Sequence, residues 1–391
     1  DPDDDGEPPF NTRNTISVFG DGLLQLLAQE ITEELQATRD EAAAAAAASP
    51  GTTVTRELRS KGTSYGSLAV VSDGGEPRFD LTQVEGIDPD LVVRPFGSKG
   101  TVPNVRTITA GPAQGGLGMQ PEELVWKRED GGADADPDGD GVERELSVGD
   151  ITAMTIYTAS QETPTDVERL ADLGWVAPPS DAELATLAKG RETFAAAGCA
   201  DCHIPEMHLG DAVFEEPTLR GNGNYFDPDL AERDPGYDPE RPVRFDLLTE
   251  AQAPRAEPHP DGGAIVRLYG DLKRHAMGRQ LEEPAGPSGS TLAVRRPLLH
   301  DGERVRVPAD VFLTSELWGV GNTGPWLHDG RAGTLREAVL LHGEDDPPAP
   351  GEPGRSEAQE SRDAFRALAP QDQDALVSFL LSLRTFAPEG D

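Results

Sequence analysis

Cys199-Ala200-Asp201-Cys202-His203 sets two thiols three positions apart, with an imidazole directly after the second. The chemistry this spacing serves is attachment of c-type haem. Each thiol forms a thioether with one porphyrin vinyl group, and His203 offers the proximal nitrogen to iron. The chain holds no other cysteine (Cys 2), so no four-cysteine zinc site can form. A redox dithiol or half of a metal site is the other reading of a bare C-x-x-C. The adjoining histidine favours haem.

The opposite face of the iron needs a second ligand or stays open. The histidines are His203, His208, His259, His275, His300, His328 and His342; the methionines are Met119, Met154, Met207 and Met277. Met207 and His208 follow His203 too closely to reach across a porphyrin. That leaves His275 and Met277, in Asp271-Leu272-Lys273-Arg274-His275-Ala276-Met277, His328, in Leu327-His328-Asp329-Gly330-Arg331, and His342, at the end of a helical stretch from Thr334. A second cluster, Asp134-Ala135-Asp136-Pro137-Asp138-Gly139-Asp140 with Glu145 at position twelve, has the spacing of an EF-hand calcium loop. Asp134, Asp136, Asp138, Asp140 and Glu145 are its candidate ligands, for a calcium ion with a structural role.

The elements that must position these groups are legible in part. Ser180 with Glu183 three residues on reads as a capping box opening a helix that ends at Gly198, just before the haem motif. Gly190 on that helix would let another helix cross closely. The stripe Leu376, Phe379, Leu380 and Leu383, after Ala369-Pro370, is the natural partner. Leu23, Leu24, Leu27, Ile31 and Leu35 recur at helical spacing within residues 20–48. Residues 52–110 carry β-branched runs broken by Gly, Asp and Pro. Residues 210–310 are rich in Pro, Gly and Asp and read as long insertion loops. The expected architecture is mainly α: a class I cytochrome c-like haem domain over 181–391 with an insertion at 210–310, plus an N-terminal α/β extension over 1–180.

Asp and Glu number 71 against 34 Lys and Arg, for a formal charge of -37. That excess argues against nucleic acid and anionic lipid surfaces and suits a basic redox partner. No apolar run is long enough to span a membrane, and the alanine run 42–48 reads as helix. The opening Asp1-Pro2-Asp3-Asp4-Asp5 is no signal peptide. Bacterial c-type haem is attached outside the cytoplasm, so the expectation is a processed or incomplete N-terminus and a periplasmic or extracellular protein.

Leu317-Trp318-Gly319, Thr323-Gly324-Pro325-Trp326-Leu327-His328-Asp329-Gly330-Arg331 and Thr334-Leu335-Arg336-Glu337-Ala338-Val339 resemble the C-terminal half of bacterial di-haem cytochrome c peroxidases. They resemble still more the related di-haem oxidoreductase (putative peroxidase) family. Gly190 to His203 and Phe379-Leu380-Leu381-Ser382-Leu383 match as well; Asn14 to Gly20, Val93 to Gly97 and Gly118-Met119-Gln120 match more weakly. In the peroxidases a methionine ends the helix after the His-Asp-Gly motif and binds the haem. His342 falls at that position, so the resemblance nominates His342 as distal ligand, with Met277 as its rival. A second C-x-x-C-H is missing, which places the family's other haem domain upstream of Asp1 or lost. The function expected is an exported carrier of single electrons. The alternatives are a peroxidase- or oxygenase-type oxidoreductase with an open distal site, and a haem-bearing subunit of an extracellular assembly.

Overall fold

The computed structural model describes residues 14, 17–130, 136, 139–283, 291–293 and 304–385. Asp134, Asp138 and His300, singled out above, lie outside them. The chain opens with helix α1 (Asp21–Ala47), then strands β1 (Val54–Ser60), β2 (Thr63–Val71) and β3 (Arg78–Asp80) and helices α2 (Val105–Gly115), α3 (Glu122–Asp130) and α4 (Val148–Ala159). β4 (Thr165–Asp166), α5 (Val167–Asp172) and α6 (Asp181–Ala196) lead to a single 3-10 turn at Cys199–Asp201. Short elements follow: β5 (Met207–Leu209), β6 (Val213–Glu216), α7 (Pro228–Arg233), β7 (Val243–Asp246), β8 (Glu257–Pro258), β9 (Ala264–Val266), β10 (Arg274–Ala276), β11 (Thr291–Ala293), β12 (Arg304–Arg306) and β13 (Val311–Leu313). The chain closes with α8 (Leu335–Leu340), α9 (Gln359–Ala367), α10 (Pro370–Ser382) and β14 (Leu383–Arg384).

α1 forms because its apolar residues recur every three or four positions. Leu23, Leu24, Leu27, Ile31 and Leu35 are 0–2% exposed and pack on β1 and β2. The β1–β2 hairpin turns at Lys61 and Gly62, both at positive φ (49° and 83°), the conformation a two-residue hairpin of this twist needs. The core begun by α1 continues through Met207, Phe214, Val266 and Leu272 to Trp318, so one apolar body draws on residues nearly 300 apart in sequence. A second core gathers Phe194, Tyr269, Leu335, Phe365, Leu376, Phe379 and Leu380, with Cys199 and Ala200 packed against it.

The expectation of a mainly α protein is overturned: the chain is 34% helix and 16% strand, spread over several small sheets. The stretch 210–310, read as loops, supplies strands to most of those sheets. β5, β9 and β8 form a three-stranded antiparallel sheet, β6 pairs β7, and β10 pairs β13. Each of these strands is only two to four residues long. So few positions show no alternation of polar and apolar residues, and the Pro- and Gly-rich composition dominates the reading. α4 also opens on a capping box. Its N-cap is Ser147, with Asp150 closing the capping box from the N3 position.

α6 and α10 cross at Gly190. A Cβ there would stand 2.3 Å from the Ala375 carbonyl oxygen and 2.6 Å from Phe379 Cβ. α6 itself starts at Ser180 and Glu183, whose reciprocal hydrogen bonds complete the capping box. Gly190→Ala is therefore expected to destabilise the fold by about 1–3 kcal/mol, because backbone rather than a flexible side chain must give way. Urea unfolding of the variant checks this.

Candidate haem-binding site

The 3-10 turn at Cys199–Asp201 folds the two thiols and the imidazole onto one short arc. Gly198 enters it at φ 80°, and the His203 N–H donates to the Cys199 carbonyl at 3.0 Å. Burial pushes the Cys199 thiol up to about 11, so it is protonated at neutral pH. A redox dithiol needs the reverse, a thiol of lowered pKa. The structure therefore weighs against that reading of the pair.

Tautomers sort the histidines. His203 Nδ1 donates to the Tyr269 carbonyl at 3.0 Å. A carbonyl can only accept, so the proton sits on Nδ1 and Nε2 keeps its lone pair. His342 repeats the arrangement, with Nδ1 donating to the Ala338 carbonyl at 2.7 Å. Both rings are thus oriented by backbone and leave Nε2 as a σ-donor, the state a metal-binding imidazole requires. Burial lowers the His203 pKa to about 4, and the charge that His342 would carry lowers it further. Burial lowers His342 too. The two rings therefore share one electrostatic neighbourhood and are neutral at pH 7. Each is deep enough for burial to act on its titration, yet neither side chain is fully covered.

His275 is of another kind. Its Nε2 meets Asp271 Oδ2 at 2.8 Å and its Nδ1 meets Glu357 Oε2 at 2.7 Å. Burial opposes a charge there, but hydrogen bonds to Asp271, Cys202 and Glu357 prevail and raise the ring to about 12. Both nitrogens donate, so no lone pair is left for iron. Cys202 Sγ, an Asp271 oxygen and a His275 nitrogen lie within 4.8 Å of one another, which sets this ion-paired ring against the Cys202 thiol. His328 packs on Phe312 at 4.5 Å between ring centres, with Asp329 beside it. His208 and His259 stack on the exposed β5–β9 side of the molecule, 3.8 Å apart. Met277 donates its N–H to the Asp310 carbonyl. Nothing among the described contacts joins Met277 to His203.

One segment aims much of this. Tyr269 (φ 54°) and Leu272 (φ 56°) both sit in the left-handed region, which costs a non-glycine residue of order 1–3 kcal/mol each. The contortion turns the Tyr269 carbonyl to His203 and the Asp271 carboxylate to His275. Tyr269, Asp271 and Glu357 are the positioning residues that sequence reasoning missed. A backbone carbonyl has no sequence signal, and Glu357 meets His275 from 82 residues away.

In the acidic loop, Asp136 accepts from the N–H of Gly139 and Gly141 at 2.9 and 3.0 Å, and Asp140 accepts from Val142 at 2.7 Å. The loop is closed by the Glu145 N–H on the Gln120 carbonyl and by a bridge between Pro121 and Leu146. Glu145 Oε2 is buried with no hydrogen-bond partner. A lone carboxylate oxygen facing inward from an acidic loop fits a hard cation.

No family model matches this chain, and no curated protein matches it. Among solved structures, Kuenenia stuttgartiensis hydrazine synthase pressurised with 20 bar xenon aligns at 16% identity, covering 61% of this chain, with a TM-score of 0.29. The chain spans 56% of the length of that structure, and a likeness of this size carries no argument. The resemblance to di-haem peroxidases rests on the sequence motifs alone.

Proposed function

We propose that this chain is an exported c-type cytochrome that binds one haem and passes single electrons to a basic redox partner. The observation that supports it most is the matched pair of imidazoles. His203 and His342 are both neutral and both oriented through Nδ1 by a backbone carbonyl, and a charge on His342 would disfavour one on His203. Haem held there would supply a one-electron couple whose potential follows from its axial ligands and their hydrogen bonds. Cys199 and Cys202 would hold it covalently, and His203 and His342 would ligate its iron. Phe194, Leu376, Phe379 and Leu380 keep water from the attachment side. No helix among the described residues is long and apolar enough to cross a membrane. The surplus of carboxylates gives a long-range field that attracts positive partners and weakens with salt. The visible spectrum tests the proposal: a low-spin spectrum unchanged by carbon monoxide supports electron transfer, and a high-spin, carbon monoxide-binding iron rejects it for a catalytic site.

The acidic loop belongs to the same proposal as a calcium site with Glu145 as a ligand, stitching the end of α3 to the start of α4. At a hundredfold excess over Kd, calcium is expected to add about 2.7 kcal/mol of stability. Chelation should remove that gain, and Glu145→Gln should abolish it. Thermal unfolding with and without calcium checks both.

A further inference from the structure

α1 buries a polar row beside its apolar one. Asp21, Gln25, Gln29, Thr32 and Gln36 recur at spacings of four, four, three and four, which sets them on one helix face. All five are 0 or 1% exposed. In the C-terminal half of the row, protein atoms satisfy every side chain. Thr32 Oγ1 meets the Tyr225 hydroxyl and the Val93 N–H, both at 3.0 Å. Gln36 donates to the Asp90 carbonyl and accepts from Asn222 and Asn224. The N-terminal half is different. Gln25 Oε1 accepts from the Val105 N–H at 2.8 Å, but Gln25 Nε2, both amide atoms of Gln29, and Asp21 Oδ2 are buried without a partner. So is Nε1 of Trp318, whose indole lies against Gly20 at the head of the helix.

We propose that the N-terminal half of this face is a built hydration site, in which a file of bound water joins Asp21, Gln25, Gln29 and Trp318. Left dry, these five atoms would together cost a sum comparable with the folding free energy of a whole domain. The ligand class follows from the atoms. Gln25 Nε2, Gln29 Nε2 and Trp318 Nε1 donate, while Gln29 Oε1 accepts. Burial, and then the nearby Glu316, hold the Asp21 carboxyl well above the usual carboxylate range. Buried donors and acceptors side by side on one face select a small molecule that both donates and accepts, and water does so with two to four partners. The wall is fixed on one side by Gly221 (φ 67°), where a Cβ would meet Tyr225 at 2.4 Å and Gln29 at 3.3 Å. Trp318 belongs to the first core and its neighbour Leu317 packs on the second, so the file lies at the seam between them.

The proposal is independent of the haem reading, and its test uses the full chain as purified. In a high-resolution crystal structure, ordered water within hydrogen-bond distance of both Gln29 amide atoms is the expected result; an empty site there overturns it. Gln29→Leu gives a second check by urea unfolding. If water serves the row, the variant strands the neighbouring groups and its folding constant falls by at least about tenfold. An unchanged or larger folding constant, the result for a dry orphan amide, overturns the proposal. Should the variant fail to fold, the crystal structure of the wild-type chain decides alone: water on both Gln29 amide atoms supports the file, and its absence rejects it.

Discussion

Cys199→Ala combined with Cys202→Ala is expected to yield a chain whose haem is lost completely on denaturation, while the wild-type chain keeps it. Mass measurement of the denatured polypeptides reads the difference directly. Two thioethers are the only covalent link the chain can offer, because it has no other cysteine. Each single variant should retain haem through one bond. Cys199 is held up at about 11 by burial and packed on the Phe194–Phe379 core. Cys202 faces the Asp271–His275 pair instead. Removing either sulfur therefore disturbs a different wall of the site. A wild-type chain that is colourless, or that sheds its haem when denatured, would sink the proposal.

His342→Ala is expected to convert an iron indifferent to carbon monoxide into one that binds it stoichiometrically, with a change from low to high spin. The argument rests on the lone pair. His342 Nδ1 is committed to the Ala338 carbonyl at 2.7 Å, so Nε2 faces outward as a donor. Burial keeps the ring neutral, which spares the iron any competition from a proton near pH 7. Met277→Leu should leave the spectrum unchanged, since no described contact ties Met277 to His203. His342→Met should restore a six-coordinate iron at a higher reduction potential, because thioether ligation favours the reduced state. Titration with carbon monoxide and a potentiometric scan of the three variants check these outcomes. The opposite pattern, with Met277→Leu opening the site, would transfer the distal role to Met277.

The Cys199–His203 turn was legible as one unit because five contiguous residues carry both sulfurs and the His203 imidazole. α6 was legible for the same reason, since Ser180, Glu183 and Gly190 declare its start and its crossing locally. The positioning groups were not. Tyr269 acts through its carbonyl, and Glu357 finds His275 only once α9 and β10 are brought together. His275 looked from sequence like one more candidate histidine. Its two carboxylate neighbours remove it from ligation, and only coordinates show them. The fold class was misread where strands are two to four residues long, because such strands are specified by partners elsewhere in the chain rather than by their own pattern. Composition told the truth about that region's turns and nothing about its pairings.

The crossing at Gly190 sets an order in which the second core can close. Phe379 closes over Gly190 from about 190 residues downstream, an interval of roughly 10–40 s at ordinary rates of synthesis. Until that last helix arrives, the turn bearing Cys199 and Cys202 has no lid. The Cys199 side of the second core is therefore completed by the segment that leaves the ribosome last among the described helices.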